Sequence, residues 1–283
     1  MTQSLRTLKV FVRSFMERGY TAIGDTTMLQ TKLEQDNACK TVSENDHPFS
    51  GLHINPDLDV SAIAAAYHRD GRVRISGFFA AGATELRNHL DTTDDWIQLI
   101  STDDGALEIG MEQRARMTTR RWAKIQSDMH KRACTGFQYS YGGIRVPEDG
   151  ELDDDNTPLY SFASFVRSGP FLDLLSSITG KGDLHFTDGQ ATAYGTGDFL
   201  TGHDDNVPGK NRIAACVFGL TRVWRLEWGG MLLFHSADHQ AGEGIVPQFN
   251  TLDLFKVPQI HSVSLVTPSA PRRRLAVTGW LNC

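Results

Sequence analysis

From residue 184 onward the chain is a succession of short apolar or alternating runs, separated by Gly, Pro, Asn and Asp. The runs are QATAYG, DFLTGHDD, RIAACVFGL, GGMLLFH, TLDLFKV, HSVSLVT and RRLAVTGWL. Regularly spaced short strands with turn signals predict an antiparallel sandwich or barrel. Upstream the spacing is mostly helical. Residues 58–68 carry Leu58, Ile63 and Tyr67 on one face, with Asp57 as a cap. RVRISGFF (72–79) alternates and predicts a strand, and GATELRNHL predicts a helix capped by Thr84. Residues 111–133 are rich in helix formers and basic residues, and predict a solvated or covering helix. FQYSYGGIRV (137–146) alternates like a strand, which puts Tyr139 and Tyr141 on one face; they read as packing residues. Residues 159–180 read as helical, with a break near Gly169-Pro170 and a stop at Gly180. The expected architecture is therefore α+β: helices first, then a compact β domain over about 184–283. Residues 1–50 are polar and weakly patterned, and read as an N-terminal extension to a domain spanning 51–283.

Composition changes this picture little. Hydrophobic residues make up 40% of the 283 and charged residues 22%, enough to bury a real core. The net charge of -6 argues against a nucleic-acid partner, which needs a basic footprint. The basic run within 111–133 reads as a solvated face, and the acidic run EDGELDDDNTP (148–158) as a turn between elements. The four cysteines form no CxxC pair and no disulfide framework, which implies reduced thiols and a cytoplasmic setting. No apolar run reaches the ~18 residues of a membrane span, and the first twenty residues lack a secretory pattern.

The chemistry concentrates in His203-Asp204-Asp205, just after an expected strand. Residues i and i+2 of extended chain project to one face, so His203 and Asp205 can address one ion while Asp204 points away. His261, at the start of HSVSLVT, is the candidate third ligand. Two imidazoles and one carboxylate on one face are the donor set of non-haem Fe(II) oxygenases, which leave positions open for a bidentate co-substrate and O2. A dicarboxylate co-substrate also needs a cation at its far end, and Arg offers a bidentate fork. RRRLAVTGW (272–280) supplies it. Arg274 shares a face with Ala276, Thr278 and Trp280; Arg272 has the same parity and Arg273 does not. A basic turn that only keeps a hairpin soluble is the alternative. His235 and His239 are spaced HxxxH and read as loop histidines, and Trp280 reads as core.

The order of these pieces resembles the prolyl 4-hydroxylase-like branch of the Fe(II)/2-oxoglutarate oxygenases, and within it the ribosomal-protein prolyl hydroxylases. The matching segments are YGTGDFL (194–200) with His203 and Asp205, RIAACVFGL with Trp224, then Trp228-Gly229-Gly230. FNTLDLF (249–255), HSVS (261–264) and RLAVTGW (274–280) complete the series. The resemblance covers about 184–283 and implies a double-stranded β-helix, or jelly roll, with the N-terminal helices packed on it. It implies His203, Asp205 and His261 as iron ligands and Arg274 as the co-substrate anchor. Tyr194 matches a tyrosine that hydrogen-bonds the co-substrate, and Thr278 faces the same way as Arg274. The sequence departs from the family at FGL (218–220), where relatives often carry a further tyrosine.

The resemblance further implies a dioxygenase using Fe(II), 2-oxoglutarate and O2, hydroxylating a prolyl residue or a proline-like amino acid and releasing succinate and CO2. The partner is then a peptide, a protein or an amino-acid-like small molecule, with no fixed oligomeric state. The alternatives are the same mechanism on another small molecule, a metal-binding jelly roll without turnover, and a zinc hydrolase built on the same three residues. The 111–158 region is the expected source of lid and specificity elements.

Overall fold

A computed structural model describes residues 51–148, 157–238 and 240–283. The N-terminal extension, most of the acidic loop and His239 lie outside the described residues. In chain order the elements are strand β1 (His53–Ile54), helix α1 (Val60–Asp70), β2 (Arg72–Ser76), β3 (Phe79–Ala81), α2 (Ala83–Thr92), β4 (Ile97–Thr102) and β5 (Gly105–Gly110). Then come α3 (Met111–Ala115), α4 (Thr119–Ala133), β6 (Tyr139–Arg145), α5 (Pro158–Phe165), α6 (Gly169–Thr179), β7 (His185–Tyr194), β8 (Phe199–His203) and β9 (Arg212–Leu220). The last are β10 (Leu232–His235), β11 (Gly242–Ile245), β12 (Phe249–Lys256), β13 (His261–Val263) and β14 (Arg274–Asn282).

Local chemistry sets the helix ends. Asp59, not Asp57, caps α1: its carboxylate accepts from Ala62 N at 2.9 Å. Gly82, not Thr84, precedes α2, because its φ of 86° turns the chain where a Cβ would meet the Gly51 carbonyl at 2.5 Å. The single helix expected over 111–133 is two, and Thr118 caps the second by accepting from Arg121 N. The break at Gly169-Pro170 divides α5 from α6, and Gly180 ends α6 at φ 71°.

Twelve of the described strands form one sheet in the order β11-β10-β13-β8-β6-β7-β14-β9-β12-β2, with the β4–β5 hairpin joined through β6. The expected split into helices followed by a separate β region needs correction. Strands β2, β4, β5 and β6 precede residue 184 and belong to the same sheet. The path curls on itself, so β11-β10-β13-β8 covers the cavity face of β7-β14-β9-β12; Phe234 of β10 meets Phe255 of β12 at 5.1 Å between ring centroids. This antiparallel, helix-backed sheet is the jelly roll.

Alternation along β14 sorts its side chains. Leu275, Val277 and Leu281 enter the main core, and Arg274, Thr278 and Trp280 face the cavity. The main core lies between sheet and helices, and aromatic rings fill it. Phe218 meets Phe162 at 4.9 Å, Phe78 at 5.7 Å and Phe171 at 5.9 Å between centroids. Phe218 therefore points away from the cavity, while its neighbour Val217 lines it. Among the described residues no helix is long and apolar enough to cross a membrane.

Candidate metal centre

His203 ends β8 and His261 begins β13, and the two residues are cross-strand partners. Their rings lie 4.2 Å apart between centroids. Asp205 follows two residues after His203 at φ 61°, a left-handed turn that swings its carboxylate back toward both imidazoles. His203 Nε2 stands 3.3 Å from Asp205 Oδ1, and His261 Nε2 stands 3.4 Å from Asp205 Oδ2. One donor atom from each residue lies within 4.8 Å of the others, a spacing that one metal ion can bridge.

Backbone carbonyls orient both rings. His203 Nδ1 lies 3.1 Å from the Thr201 carbonyl, and His261 Nδ1 lies 2.8 Å from the Gln259 carbonyl. An Nδ1–H donating to a carbonyl leaves the Nε2 lone pair free for a metal, the tautomer that metal-binding histidines need. Burial, and then neighbouring His203, hold His261 down to about 4, so its ring is neutral near pH 7. Burial works against the Asp205 carboxylate, but the His203 hydrogen bond and both imidazoles outweigh it and keep the group below its usual range. The donor set therefore fits a divalent transition metal, with one side of the coordination sphere facing a cavity.

That cavity measures about 400 Å³. Arg274 and Tyr194 form one end of its wall, Thr278 and Trp280 lie further along β14, and Phe137, Tyr139 and Tyr141 form an aromatic side. Arg274 is buried, faces Tyr194 across the strand pair, and stands 5.0 Å from its ring. Among the described residues no carboxylate forms an ion pair with Arg274, so a buried guanidinium faces the cavity with spare hydrogen-bonding capacity. Arg272, of the same parity, does not line the cavity, and Arg273 instead stands over Trp96 at 5.1 Å. Thr278 Oγ1 donates to the Gln190 carbonyl at 3.3 Å.

Trp280 lines the cavity rather than filling only the core. Tyr139 and Tyr141 do the same, with ring centroids in series: Phe137 to Tyr139 at 5.7 Å, Tyr139 to Tyr141 at 5.4 Å and Tyr141 to Tyr194 at 5.2 Å. Sequence patterning did not single out Arg212 or Phe137, which also line it. Arg212 merely opens an apolar strand, and only the pairing of β9 with β14 sets it against Trp280. Gly229 and Gly230 have φ of 71° and 64°, and a Cβ on Gly229 would lie 1.9 Å from the Leu265 carbonyl, so the Gly-Gly pair serves a close backbone approach.

A jelly roll with two histidines and a carboxylate at its mouth defines a mononuclear metal site with room for further ligands. Residues 189–282 match the 2OG-Fe(II) oxygenase superfamily. No curated protein matches the chain. Among solved structures it is similar to an oxidoreductase of the 2OG-Fe(II) oxygenase family from Burkholderia pseudomallei. That pair has a TM-score of 0.56 and 12% identity, over 82% of this chain and 95% of that one. A prolyl hydroxylase from Trichoplax adhaerens, in complex with a hypoxia inducible factor peptide fragment, aligns with a TM-score of 0.50 and 17% identity, over 79% and 88%. The non-heme alpha ketoglutarate dependent epimerase SnoN, from nogalamycin biosynthesis, aligns with a TM-score of 0.50 and 13% identity, over 79% and 80%. At these identities the structural likeness speaks for the fold. The match to that superfamily covers residues 189–282, and the fold is the one shared by solved 2OG-Fe(II) oxygenases, a prolyl hydroxylase among them.

Proposed function

We propose that His203, Asp205 and His261 hold the Fe(II), that Arg274 anchors the far carboxylate of 2-oxoglutarate, and that the enzyme hydroxylates a C–H bond of a prolyl residue or a proline-like amino acid. The observation that carries the reading is the shared cavity. Three metal donors within 4.8 Å of one another open into the same space as Arg274, a buried arginine that pairs with no carboxylate among the described residues. When bound, iron and 2-oxoglutarate supply oxygen activation, with succinate and CO2 released and one oxygen atom delivered to the substrate.

The side chains do the rest. The Thr201 and Gln259 carbonyls fix both imidazole tautomers before metal arrives. Arg274 meets a dicarboxylate with a fixed charge and a planar fork. Tyr194, also buried, adds a phenol that burial keeps protonated and therefore able to donate. Thr278 sits on the same face of β14 and supports the co-substrate end. The Phe137–Tyr139–Tyr141 wall offers ring faces to an aliphatic ring, which suits a pyrrolidine, and it narrows the access of bulk water. The three described cysteines are free thiols, which fits a reducing, cytoplasmic setting.

The test is anaerobic addition of Fe(II) and 2-oxoglutarate, read by the weak visible charge-transfer band of the chelate. The band is expected in wild type, absent in His203→Ala and weakened in Arg274→Ala. A folded, iron-loaded wild type without the band would sink the reading.

A further inference from the structure

Asp253 is the one charged residue in the apolar run TLDLF (251–255), and it is buried on β12. Its direct cross-strand partner is Arg74 on β2. The two form a bidentate ion pair, with Arg74 Nε donating to Asp253 Oδ1 at 2.6 Å and Nη2 donating to Oδ2 at 2.7 Å. Arg74 Nη1 also donates to the Val246 carbonyl at 2.8 Å. A buried ion pair is a poor stabiliser, because taking two charges out of water cancels most of their attraction. Two apolar side chains would hold these strands together as well, so stability alone does not account for the pair.

Its position does. Asp253 pairs with Val217 on β9, and Val217 pairs with Thr278 on β14. Cross-strand partners share a face, so Arg74, Asp253, Val217 and Thr278 form one row across four strands. Val217 and Thr278 line the metal cavity, and Arg274 stands on the same face of β14, four residues before Thr278. The two arginines also approach each other from above. Val246, which holds Arg74, follows Ile245, the partner of Leu232 at the open end of the β10–β11 hairpin. Arg274 reaches that same end, since its Cδ lies 3.4 Å from where a Cβ on Gly230 would stand.

The pair therefore acts on Arg274 through charge. Burial lowers Arg274 below its ordinary value, Tyr194 and then Asp253 draw it up, and Arg74 pushes it down. An unbalanced carboxylate at Asp253 would offset the Arg274 cation and repel an incoming carboxylate. Arg74 balances it in place with a two-pronged contact, which leaves the Arg274 charge available to a ligand.

We infer that Arg74 and Asp253 are a positioning pair for the co-substrate: Arg74 holds and neutralises Asp253, and so sets the charge that a dicarboxylate meets at Arg274. This rests on the proposed role of Arg274 and extends it to two residues that touch neither metal nor co-substrate.

The experiment is a double-mutant cycle on the full chain, read as 2-oxoglutarate affinity from the anaerobic Fe(II) chelate band and from calorimetry on the Zn(II)-loaded protein. Asp253→Asn removes the negative charge and is expected to bind 2-oxoglutarate about fivefold more tightly, the size of one partly screened charge near a buried binding group. Arg74→Gln is expected to bind it about fivefold more weakly, and the double variant to return to within about twofold of wild type. A merely structural pair gives no gain from either change. Unchanged or weaker binding in folded Asp253→Asn overturns the inference, and so does a double variant as tight as Asp253→Asn. Arg74→Lys keeps the charge without the fork; it is expected within about twofold of wild type and serves if Asp253→Asn does not fold. A loss in Arg74→Lys equal to that in Arg74→Gln then overturns the inference. A wild type without the chelate band sinks the hydroxylase reading, and an affinity indifferent to Arg274→Ala sinks the anchor. With both intact, the wrong signs in the cycle sink only the charge pair.

Discussion

Arg274 and Tyr194 are direct cross-strand partners at the first position of β14 and the last of β7, with the guanidinium 5.0 Å from the phenol ring. Both are buried. Burial pulls the arginine below its ordinary value and pushes the phenol up, so each is held against its charged form while the pair keeps its donors. A buried cation with no carboxylate partner is costly unless a ligand completes it. Arg274→Ala is therefore expected to weaken 2-oxoglutarate binding by about a hundredfold, in line with a charge-assisted bidentate contact of ~3 kcal/mol. Titration of the chelate band against 2-oxoglutarate measures it. Unchanged affinity would remove Arg274 from the co-substrate site.

Tyr194→Phe probes the other half of the pair. The ring stays, so packing against Tyr141 at 5.2 Å is kept and only one hydroxyl is lost. The expected loss is about three- to tenfold in 2-oxoglutarate affinity, the weight of one neutral hydrogen bond. Thermal unfolding without co-substrate should change little. A large fall in Tm with unaltered co-substrate affinity would make Tyr194 a structural residue.

Asp198 carries the clearest pH dependence outside the metal centre. It sits in the turn between β7 and β8, where its carboxylate accepts from Gln98 at 2.9 Å, Ser140 at 2.7 Å and Gly195 N at 2.9 Å. Burial outweighs these donors and pushes the group from 3.8 up to about 6. Between those two values the folded protein holds a proton that the unfolded chain has released. Stability from this group is therefore greatest below about pH 4, falls as pH rises to about 6, and is flat above, a change of about 3 kcal/mol. Asp198→Asn cannot titrate there. Chemical denaturation at a series of pH values should show the wild type losing stability relative to Asp198→Asn across that window. A constant difference would mean that Asp198 titrates normally.

The parts legible in the sequence were those set by local pattern. The i, i+2 spacing of His203 and Asp205 holds because β8 runs extended up to His203, although Asp205 itself lies in a left-handed turn rather than on the strand. The alternation of RLAVTGW resolved Arg274 from Arg273, and burial resolved it from Arg272. What pattern could not give was pairing. The β4–β5 hairpin left no expectation at all, because its outer strand is largely exposed and lacks an apolar stripe. Arg212 and Asp188 are far apart in sequence, and strand order alone brings them to 2.9 Å. Trp280 stands in an apolar strand, a pattern that predicts core, yet its alternating face is the cavity wall.

The Gly229 turn links the metal half of the sheet to its frame, and the cost of filling it can be stated in advance. A Cβ there would lie 1.9 Å from the Leu265 carbonyl, a backbone atom that cannot rotate away, and the φ of 71° is itself unfavourable for a side chain. The neighbouring contacts depend on the same approach: the Gly229 carbonyl accepts from Trp224 Nε1 at 2.8 Å, and Thr267 N donates to the Trp228 carbonyl at 2.9 Å. Leu265 leads out of the strand that begins with His261, so displacing its backbone disturbs the strand of the proposed third metal ligand from its far end. Gly229→Ala is expected to lower stability by about 3 kcal/mol or more and to weaken metal binding, although residue 229 does not line the cavity. Thermal unfolding with and without Zn(II) would measure both effects. A Tm within a degree or two of wild type would show that the Leu265 backbone can yield, and that the glycine is a turn residue without a packing role.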